Sequence, residues 1–210
     1  THNYLREGKY CYKSAYGIQS HRCIQATPTL LCNHQCLFCW RLQEKDLGLP
    51  PIWQAGPIVF DSPEELQAKD RLLIEKATEA MQNAYSPYSR FKVGAAVLLT
   101  NGTIVLGNNQ ENVAYPSGLC AERVAVFAAS ANYPKEKILA IAIVASSEEF
   151  EVKSNISPCG SCRQVILEYE KIAAQNIRIL LAGAAGKTIV FEKAADLLPL
   201  SFFEEQLKKD

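Results

Sequence analysis

Three cysteines in the second half of the sequence have the spacing of a metal site. Cys120 is followed directly by Ala121-Glu122, and Cys159 and Cys162 stand in the order Pro-Cys-x-x-Cys. We predict that each group lies at the start of a helix, where free N–H groups lower the pKa of a thiol and favour metal binding. Three thiolates on Zn²⁺ leave one tetrahedral position for water, as in catalytic zinc sites, whereas structural sites take four protein ligands. No histidine follows residue 60 to supply a fourth ligand.

Glu122 and Arg123 stand just after the first of these cysteines and add chemistry to the predicted site. The carboxylate of Glu122 can face the open position and act as base toward a zinc-acidified water, then as acid toward a ring nitrogen and a leaving amine. Arg123 can donate hydrogen bonds to thiolate sulfur and so offset the negative charge of three thiolates on one Zn²⁺. The alternatives for these cysteines are a structural zinc site or buried free thiols.

The pattern of apolar and turn residues predicts the elements that position the site. Ser62-Pro63-Glu64-Glu65 is a capping box with Ser62 as N-cap, and apolar residues at helical spacing follow it. Asn101-Gly102 between two apolar runs predicts a hairpin turn. Strands that alternate with helices predict an α/β fold, a three-layer α/β/α sandwich around a mixed sheet. The other predicted elements are strands 91–99, 103–107, 138–145, 177–181 and 189–192, helices 118–131 and 160–170, and a short C-terminal helix.

Composition and charge divide the chain into two parts. Of its 210 residues 48% are apolar, which is enough to bury a core and excludes global disorder. No apolar run approaches the roughly 18 residues of a membrane span, and the polar start shows no secretory signal, so we expect a cytoplasmic protein. The 22 basic and 22 acidic residues give +3 over residues 1–60 and −3 over residues 61–210. With a linker at 47–57 that contains proline and glycine, we predict a Cys-rich segment, 1–60, and a catalytic domain, 61–210.

Five sequence blocks in the second part occur in a fixed order. They are 85–96 (Tyr-Ser-Pro-Tyr-Ser-Arg-Phe-Lys-Val-Gly-Ala-Ala), 107–112 (Gly-Asn-Asn-Gln-Glu-Asn), 114–123 (Ala-Tyr-Pro-Ser-Gly-Leu-Cys-Ala-Glu-Arg), 157–164 (Ser-Pro-Cys-Gly-Ser-Cys-Arg-Gln) and 197–202 (Leu-Leu-Pro-Leu-Ser-Phe). These blocks resemble the cytidine deaminases of the three-cysteine type, from about residue 70 to residue 203. The resemblance implies an enzyme that uses zinc to deaminate cytidine or deoxycytidine by hydrolysis, giving uridine or deoxyuridine, in pyrimidine salvage.

The resemblance also implies a role for individual residues. Zinc would be held by the three cysteines with Glu122 as proton shuttle, and the substrate would be a free nucleoside in a homotetramer. Plain core packing of Phe91 and Phe202, and a turn role for Asn109, are the alternatives. The implied substrate residues are Asn109 and Glu111 for the ribose hydroxyls, Phe91 against the pyrimidine, the N–H of Ala121 and the carbonyl of Ser157 for the base, and Tyr115 and Phe202 at a neighbour's site.

The first part of the chain carries a second cysteine pattern, Cys-x3-Cys-x2-Cys, at Cys32, Cys36 and Cys39. Three thiolates at this spacing can hold three irons of a [4Fe–4S] cluster. With the blocks 6–13, 16–23 and 39–41, residues of about 5–50 resemble a fragment of the radical-SAM enzymes that form the wyosine base of tRNA. The resemblance implies SAM as a cofactor, and it makes Cys11 and Cys23 ligands of an auxiliary cluster.

The two parts leave rival interpretations of the whole chain. Fewer than 70 residues precede the deaminase-like part, too few for the barrel that holds SAM. We therefore expect the segment to be a truncated remnant, an artificial or recombined fusion, or a metal-binding appendage. The rival function is an iron–sulfur module for tRNA modification with the deaminase part as passenger. A third interpretation is a non-enzymatic fusion in which the deaminase fold serves as an interaction scaffold.

Overall fold

The computed structural model describes residues 57–183, 186–198 and 201–203. The elements in these ranges are β1 (Ile58–Phe60), α1 (Ala68–Gln82), β2 (Phe91–Leu99), β3 (Ile104–Asn108), α2 (Ala121–Asn132), β4 (Ile138–Ser147), α3 (Gly160–Ala173), β5 (Arg178–Ala182) and β6 (Thr188–Phe191). The six strands form one sheet in the order β1-β6-β5-β4-β2-β3. The pair β4 and β5 is parallel and the other pairs are antiparallel, so the sheet is mixed.

Helices cover both faces of this sheet, which confirms the predicted α/β/α sandwich. Alternate residues of β4 form one buried cluster with Leu73 and Ala77 of α1. Ile141 and Ile143 lie between them in the sequence and are also buried, so they point to the opposite face, where α2 and α3 pack. Both faces are therefore apolar, as expected for a sheet that is covered on both sides. Within the described ranges, the chain has no helix with the length and apolar character needed to cross a membrane.

The predicted start of α1 is wrong. Ser62 makes no side-chain cap bond, and Pro63–Glu65 forms only a single 3-10 turn. The chain then becomes extended at Leu66, whose side chain is 3% exposed in the core, and α1 begins at Ala68. Burial of Leu66 under the sheet therefore outweighs the local helix signal. Helix α2 likewise begins at Ala121 rather than at residue 118.

The predicted hairpin between β2 and β3 is confirmed, and β2 has the predicted bounds. Gly102 has a positive φ of 84° and donates its N–H to the carbonyl of Leu99 at 3.0 Å. Leu99 in turn donates to the carbonyl of Thr103 at 2.9 Å, which closes a three-residue loop. A left-handed residue at this position favours glycine, which explains the Asn-Gly signal.

The predicted boundary between the two domains stays a prediction. Residues 1–56 lie outside the described ranges, and with them lie the predicted cluster ligands Cys32, Cys36 and Cys39. Strand β1 precedes residue 61 and pairs with β6 of the sheet.

Helix α1 passes very close to the sheet at Gly94. A Cβ atom at this position would lie 2.0 Å from the carbonyl oxygen of Ala77 and 2.6 Å from the backbone nitrogen of Met81. Both neighbours are backbone atoms of a helix, so they cannot move aside by a change of rotamer. The approach therefore requires glycine.

We predict that Gly94→Ala lowers the free energy of unfolding by about 3 kcal/mol, because α1 must move away from β2. Urea unfolding followed by circular dichroism measures this change. Gly160→Ala is the control, because a Cβ at Gly160 meets no atom within 4 Å. Equal stability of the two variants would contradict the proposed contact.

Candidate metal centre and adjoining cavity

The topology of the sheet brings the starts of α2 and α3 together. Strands β3 and β4 flank β2, and both are antiparallel to it, so β3 and β4 run in the same direction. Their carboxyl ends therefore lie at the same edge of the sheet. Helix α2 follows β3 and α3 follows β4 along the chain, so both helices begin at that edge.

The three predicted zinc ligands meet at these helix starts. Cys120 is the N-cap of α2, Cys159 is the N-cap of α3, and Cys162 lies in the first turn of α3. The Sγ atoms of Cys120 and Cys159 are 3.7 Å apart, and those of Cys159 and Cys162 are 3.5 Å apart. All three Sγ atoms lie within 4.8 Å of one another, which is the geometry needed to share one ion.

Interactions among the thiols shift the pKa values of Cys120 and Cys162 in opposite directions. A hydrogen bond from Cys162 lowers the pKa of Cys120 to about 5, and hydrogen bonds from Arg123 and Cys159 add to this effect. The same bond raises the pKa of Cys162, as does the burial of its thiol. One sulfur is thus a thiolate near neutral pH, and a thiolate is the form of cysteine that binds zinc.

Arg123 lies where the sequence predicts it, beside the thiols. Burial alone would lower the pKa of its guanidinium, but the hydrogen bond with Cys120 and the charges of Cys120 and Cys162 raise it. Its Nε atom is buried without a hydrogen-bond partner in the described part of the chain. A set of zinc-bound thiolates would supply acceptors for this donor and a negative charge for this cation, so these residues fit zinc.

Glu122 is buried beside the thiols, with 4% of its surface exposed. Burial raises the pKa of its carboxyl, and the charge of Cys120 raises it further. A raised pKa makes the carboxylate a stronger base toward a water proton, which is the first step that a proton shuttle requires.

An open cavity of about 580 Å³ adjoins the thiols. Cys120, Cys159 and Glu122 form part of its wall. Of the substrate residues predicted from the sequence, four line it: Asn109, Glu111, Tyr115 and Ser157. Three do not line it: Phe91, Ala121 and Phe202. Sequence reasoning missed Tyr88, Ser89, Val93 and Leu119, which also line the cavity.

Asn109 and Glu111 are bonded within the protein as well as facing the cavity. The side chain of Asn109 accepts a hydrogen bond from the N–H of Val93 at 2.7 Å and donates one to the carbonyl of Phe91 at 2.9 Å. The carboxylate of Glu111 accepts from the N–H of Tyr88 at 2.9 Å, from the N–H of Ser89 and from the hydroxyl of Ser89. These two side chains therefore hold β2 and the loop before it, and they keep free lone pairs for a ligand.

None of the three predicted aromatic residues is fully buried in the core, and of the three Tyr115 lines the cavity. Phe91 is half-buried and stacks on Phe150, with ring centroids 6.2 Å apart. Tyr115 is 76% exposed and meets the ring of Tyr88 edge-on at 6.0 Å. Phe202 is 57% exposed, which is against core packing of its ring within this chain. Tyr88 and Ser89 belong to the loop between α1 and β2, and aromatic and hydroxyl side chains in such a loop are the signal that would have identified them.

Comparison with known proteins places these features in one family. The profile of the cytidine and deoxycytidylate deaminase zinc-binding region matches residues 67–177. A cytidine deaminase from Halalkalibacterium halodurans is 37% identical over 137 residues, which are 65% of this chain and 96% of that protein. The crystal structure of a cytidine deaminase from Burkholderia pseudomallei has a TM-score of 0.57 at 39% identity and covers 65% of this chain and all of the other.

A second similarity is to a longer protein. The tRNA 4-demethylwyosine synthase of Pyrococcus horikoshii, which depends on S-adenosyl-L-methionine, is 47% identical over 74 residues. This match covers 33% of this chain and 21% of the synthase, so the chain spans about a fifth of that relative.

We predict that Arg123→Gln speeds the loss of zinc to a chelator about tenfold, because the thiolates lose a charged hydrogen-bond donor. Zinc release into a colorimetric chelator measures the rate. Arg123→Lys should show a smaller change because it keeps the charge. An unchanged rate in Arg123→Gln would contradict a role of Arg123 in holding the ligands.

Proposed function

We propose that this chain, which belongs to the cytidine and deoxycytidylate deaminase zinc-binding family, deaminates cytidine and deoxycytidine to uridine and deoxyuridine in pyrimidine salvage. The observation that carries the proposal is a group of three thiols, two of which line one open cavity together with a buried glutamate. A structural zinc site would have no need of such a cavity or of a buried carboxyl.

The cysteines and Glu122 have separate roles in the proposed reaction. Zinc held by Cys120, Cys159 and Cys162 supplies an acidified water when it is bound. Glu122 would take one proton from the attacking water and deliver it to the ring nitrogen next to C4 as the water oxygen bonds to C4. It would then move the remaining proton of that oxygen to the amino group, so that the bond between C4 and this nitrogen breaks, ammonia leaves, and water and cytidine give uridine and ammonia.

Residues in and beside the cavity wall are proposed to orient the nucleoside. The carbonyl of Ser157 and the N–H of Ala121, the first residue of α2, would bond the base. Asn109 and Glu111 would bond the ribose hydroxyls with the lone pairs that the protein leaves free. Phe91 would pack against the pyrimidine, which requires its ring to extend from the stack with Phe150 toward the ligand.

The charge of the cavity supports a free nucleoside as substrate. Among the described residues that line it, Glu111 and Glu122 are acidic, and none is lysine or arginine. A phosphate group would meet negative charge without a cation to pair with it. Nucleotides and nucleic acids are therefore disfavoured relative to cytidine and deoxycytidine.

Exposed apolar side chains support a homo-oligomer, which we propose to be a tetramer. Val113 and Tyr115 are 78% and 76% exposed, and Phe202 is 57% exposed. Apolar side chains that form one exposed patch are typical of a surface that a partner covers, and we propose that these three belong to such a patch. In this arrangement Tyr115 and Phe202 would reach the site of a neighbouring chain. The free thiols at the site suit a reducing compartment, so we place the protein in the cytoplasm.

The similarity to the demethylwyosine synthase favours a second candidate function for the first part of the chain. In this proposal Cys32, Cys36 and Cys39 hold a [4Fe–4S] cluster with SAM, and the chain is a tRNA-modifying module with the deaminase part as passenger. The match covers only about a fifth of the synthase, so this candidate ranks second.

We predict that Glu122→Gln lowers kcat for cytidine about 10³-fold with an unchanged zinc content, because it removes the proton shuttle and leaves the thiols in place. Loss of cytosine absorbance measures the rate. Glu148→Gln is the control, because Glu148 is exposed and pairs with Lys92 at the end of β4. Full activity of Glu122→Gln would contradict the mechanism, and a folded wild type without turnover would favour the scaffold interpretation.

Metal analysis after anaerobic purification separates the two candidate functions. We predict one zinc and no iron per chain, with light scattering giving the mass of four chains. About four irons per chain, with a brown colour, would instead favour the iron–sulfur candidate.

A further inference from the structure

Arg163 bonds three carbonyl or hydroxyl oxygens around the start of α3. Its Nε donates to the carbonyl of Pro158 at 2.8 Å, and its Nη2 donates to the hydroxyl of Ser157 at 2.8 Å. Its Nη1 donates to the carbonyl of Leu197 at 3.0 Å. One guanidinium therefore joins the loop before α3 to a segment 34 residues further along the chain.

The loop that Arg163 holds has few other anchors. In the described structure, residues 156–158 belong to no helix or strand and make no backbone–backbone hydrogen bond. Asn155 is tied to the sheet through the carbonyls of Leu181 and Lys187. Between Asn155 and the N-cap Cys159, the chain is held by the hydrogen bonds that the side chain of Arg163 donates to Ser157 and Pro158.

The third acceptor is itself fixed to α3. Leu197 ends a 3-10 turn, Ala194–Leu197. The buried carboxylate of Glu170, two helical turns after Arg163, accepts hydrogen bonds from the N–H groups of Ala194 and Ala195 at 2.7 and 3.0 Å. Glu170 thus bonds the start of the 3-10 turn to α3, and Arg163 of the same helix bonds its end.

We infer that Arg163 is a positioning residue that sets the orientation of Ser157 in the cavity wall. This inference rests on the proposed function, in which the carbonyl of Ser157 bonds the base. The planar guanidinium donates from three nitrogens that are spread apart, whereas a lysine carries all of its donors on one nitrogen. A shift of Ser157 weakens binding of the base and leaves the thiols and Glu122 in place.

The first test compares the kinetics of zinc-loaded Arg163→Lys with those of the wild type. We expect KM for cytidine to rise about tenfold, kcat to fall less than threefold and the zinc content to stay the same. Arg71→Lys is the matched control, because Arg71 is also half-buried and donates to the carbonyls of Leu66 and Glu64, away from the cavity. It should leave KM unchanged. An unchanged KM in Arg163→Lys, or a fall in kcat and zinc content alone, would overturn the inference.

A double-mutant cycle with Ser157→Ala tests whether the effect passes through Ser157. This variant keeps the backbone carbonyl and loses the hydroxyl that Nη2 bonds. We expect it to raise KM by itself and to add little in combination with Arg163→Lys. Fully additive effects on KM would show that the two residues act separately and would overturn the inference.

Hydrogen exchange followed by mass spectrometry tests the positioning without any catalysis. The peptide that spans residues 154–162 should exchange faster in Arg163→Lys than in the wild type or in Arg71→Lys. An unchanged exchange rate of this peptide in Arg163→Lys would overturn the inference, whether or not the wild type deaminates cytidine. Faster exchange in a protein whose wild type has no turnover would support the role of Arg163 and contradict the proposed function instead.

Discussion

The site depends on a constraint of the sheet, the common direction of β3 and β4 on either side of β2. Because both strands are antiparallel to β2, the helices that follow them begin at the same edge. Two helix starts are then close enough for an N-cap thiol on each to lie within 3.7 Å of the other. If either helix began at the opposite edge, no rearrangement of side chains could bring the three sulfurs to one ion.

Small residues allow the helices to use this edge. A Cβ atom at Gly107 of β3 would lie 2.5 Å from the carbonyl oxygen of Ala121 and 2.5 Å from the backbone nitrogen of Ala125. Helix α2 therefore rests directly on the strand that precedes it, with Ala125 and Ala129 fully buried in the contact. This contact fixes the position of the first turn of α2, and with it Cys120 and Glu122, relative to the sheet. The chemistry at the thiols is thus coupled to the packing of glycine and alanine behind them.

Much of this arrangement can be predicted from the sequence, because the signals are local. The bounds of β2, the Asn-Gly hairpin and the placement of the cysteines at helix starts each depend on a few neighbouring residues. The predicted start of α1 is wrong because the burial of Leu66, which depends on tertiary packing, keeps the chain extended before Ala68. The bonds of Arg163 to Leu197 and of Asn109 to β2 join residues that are 34 and 16 to 18 positions apart. Such bonds leave no periodic signal in the sequence.

The long-range bonds also explain how an irregular wall can be precise enough for catalysis. Loops have more conformational freedom than helices and strands, yet a reacting group must be held within a fraction of an ångström. Glu111 holds the loop before β2 in place through three hydrogen bonds from Tyr88 and Ser89. Arg163 holds the loop before α3 through its hydrogen bonds to Ser157 and Pro158. In both cases a charged side chain, whose hydrogen bonds are stronger than those of neutral groups, holds a loop whose backbone lacks the bonds of regular structure. Glu111 thus both faces the cavity and fixes its shape, whereas Arg163 acts on the wall from behind through Ser157 and Pro158.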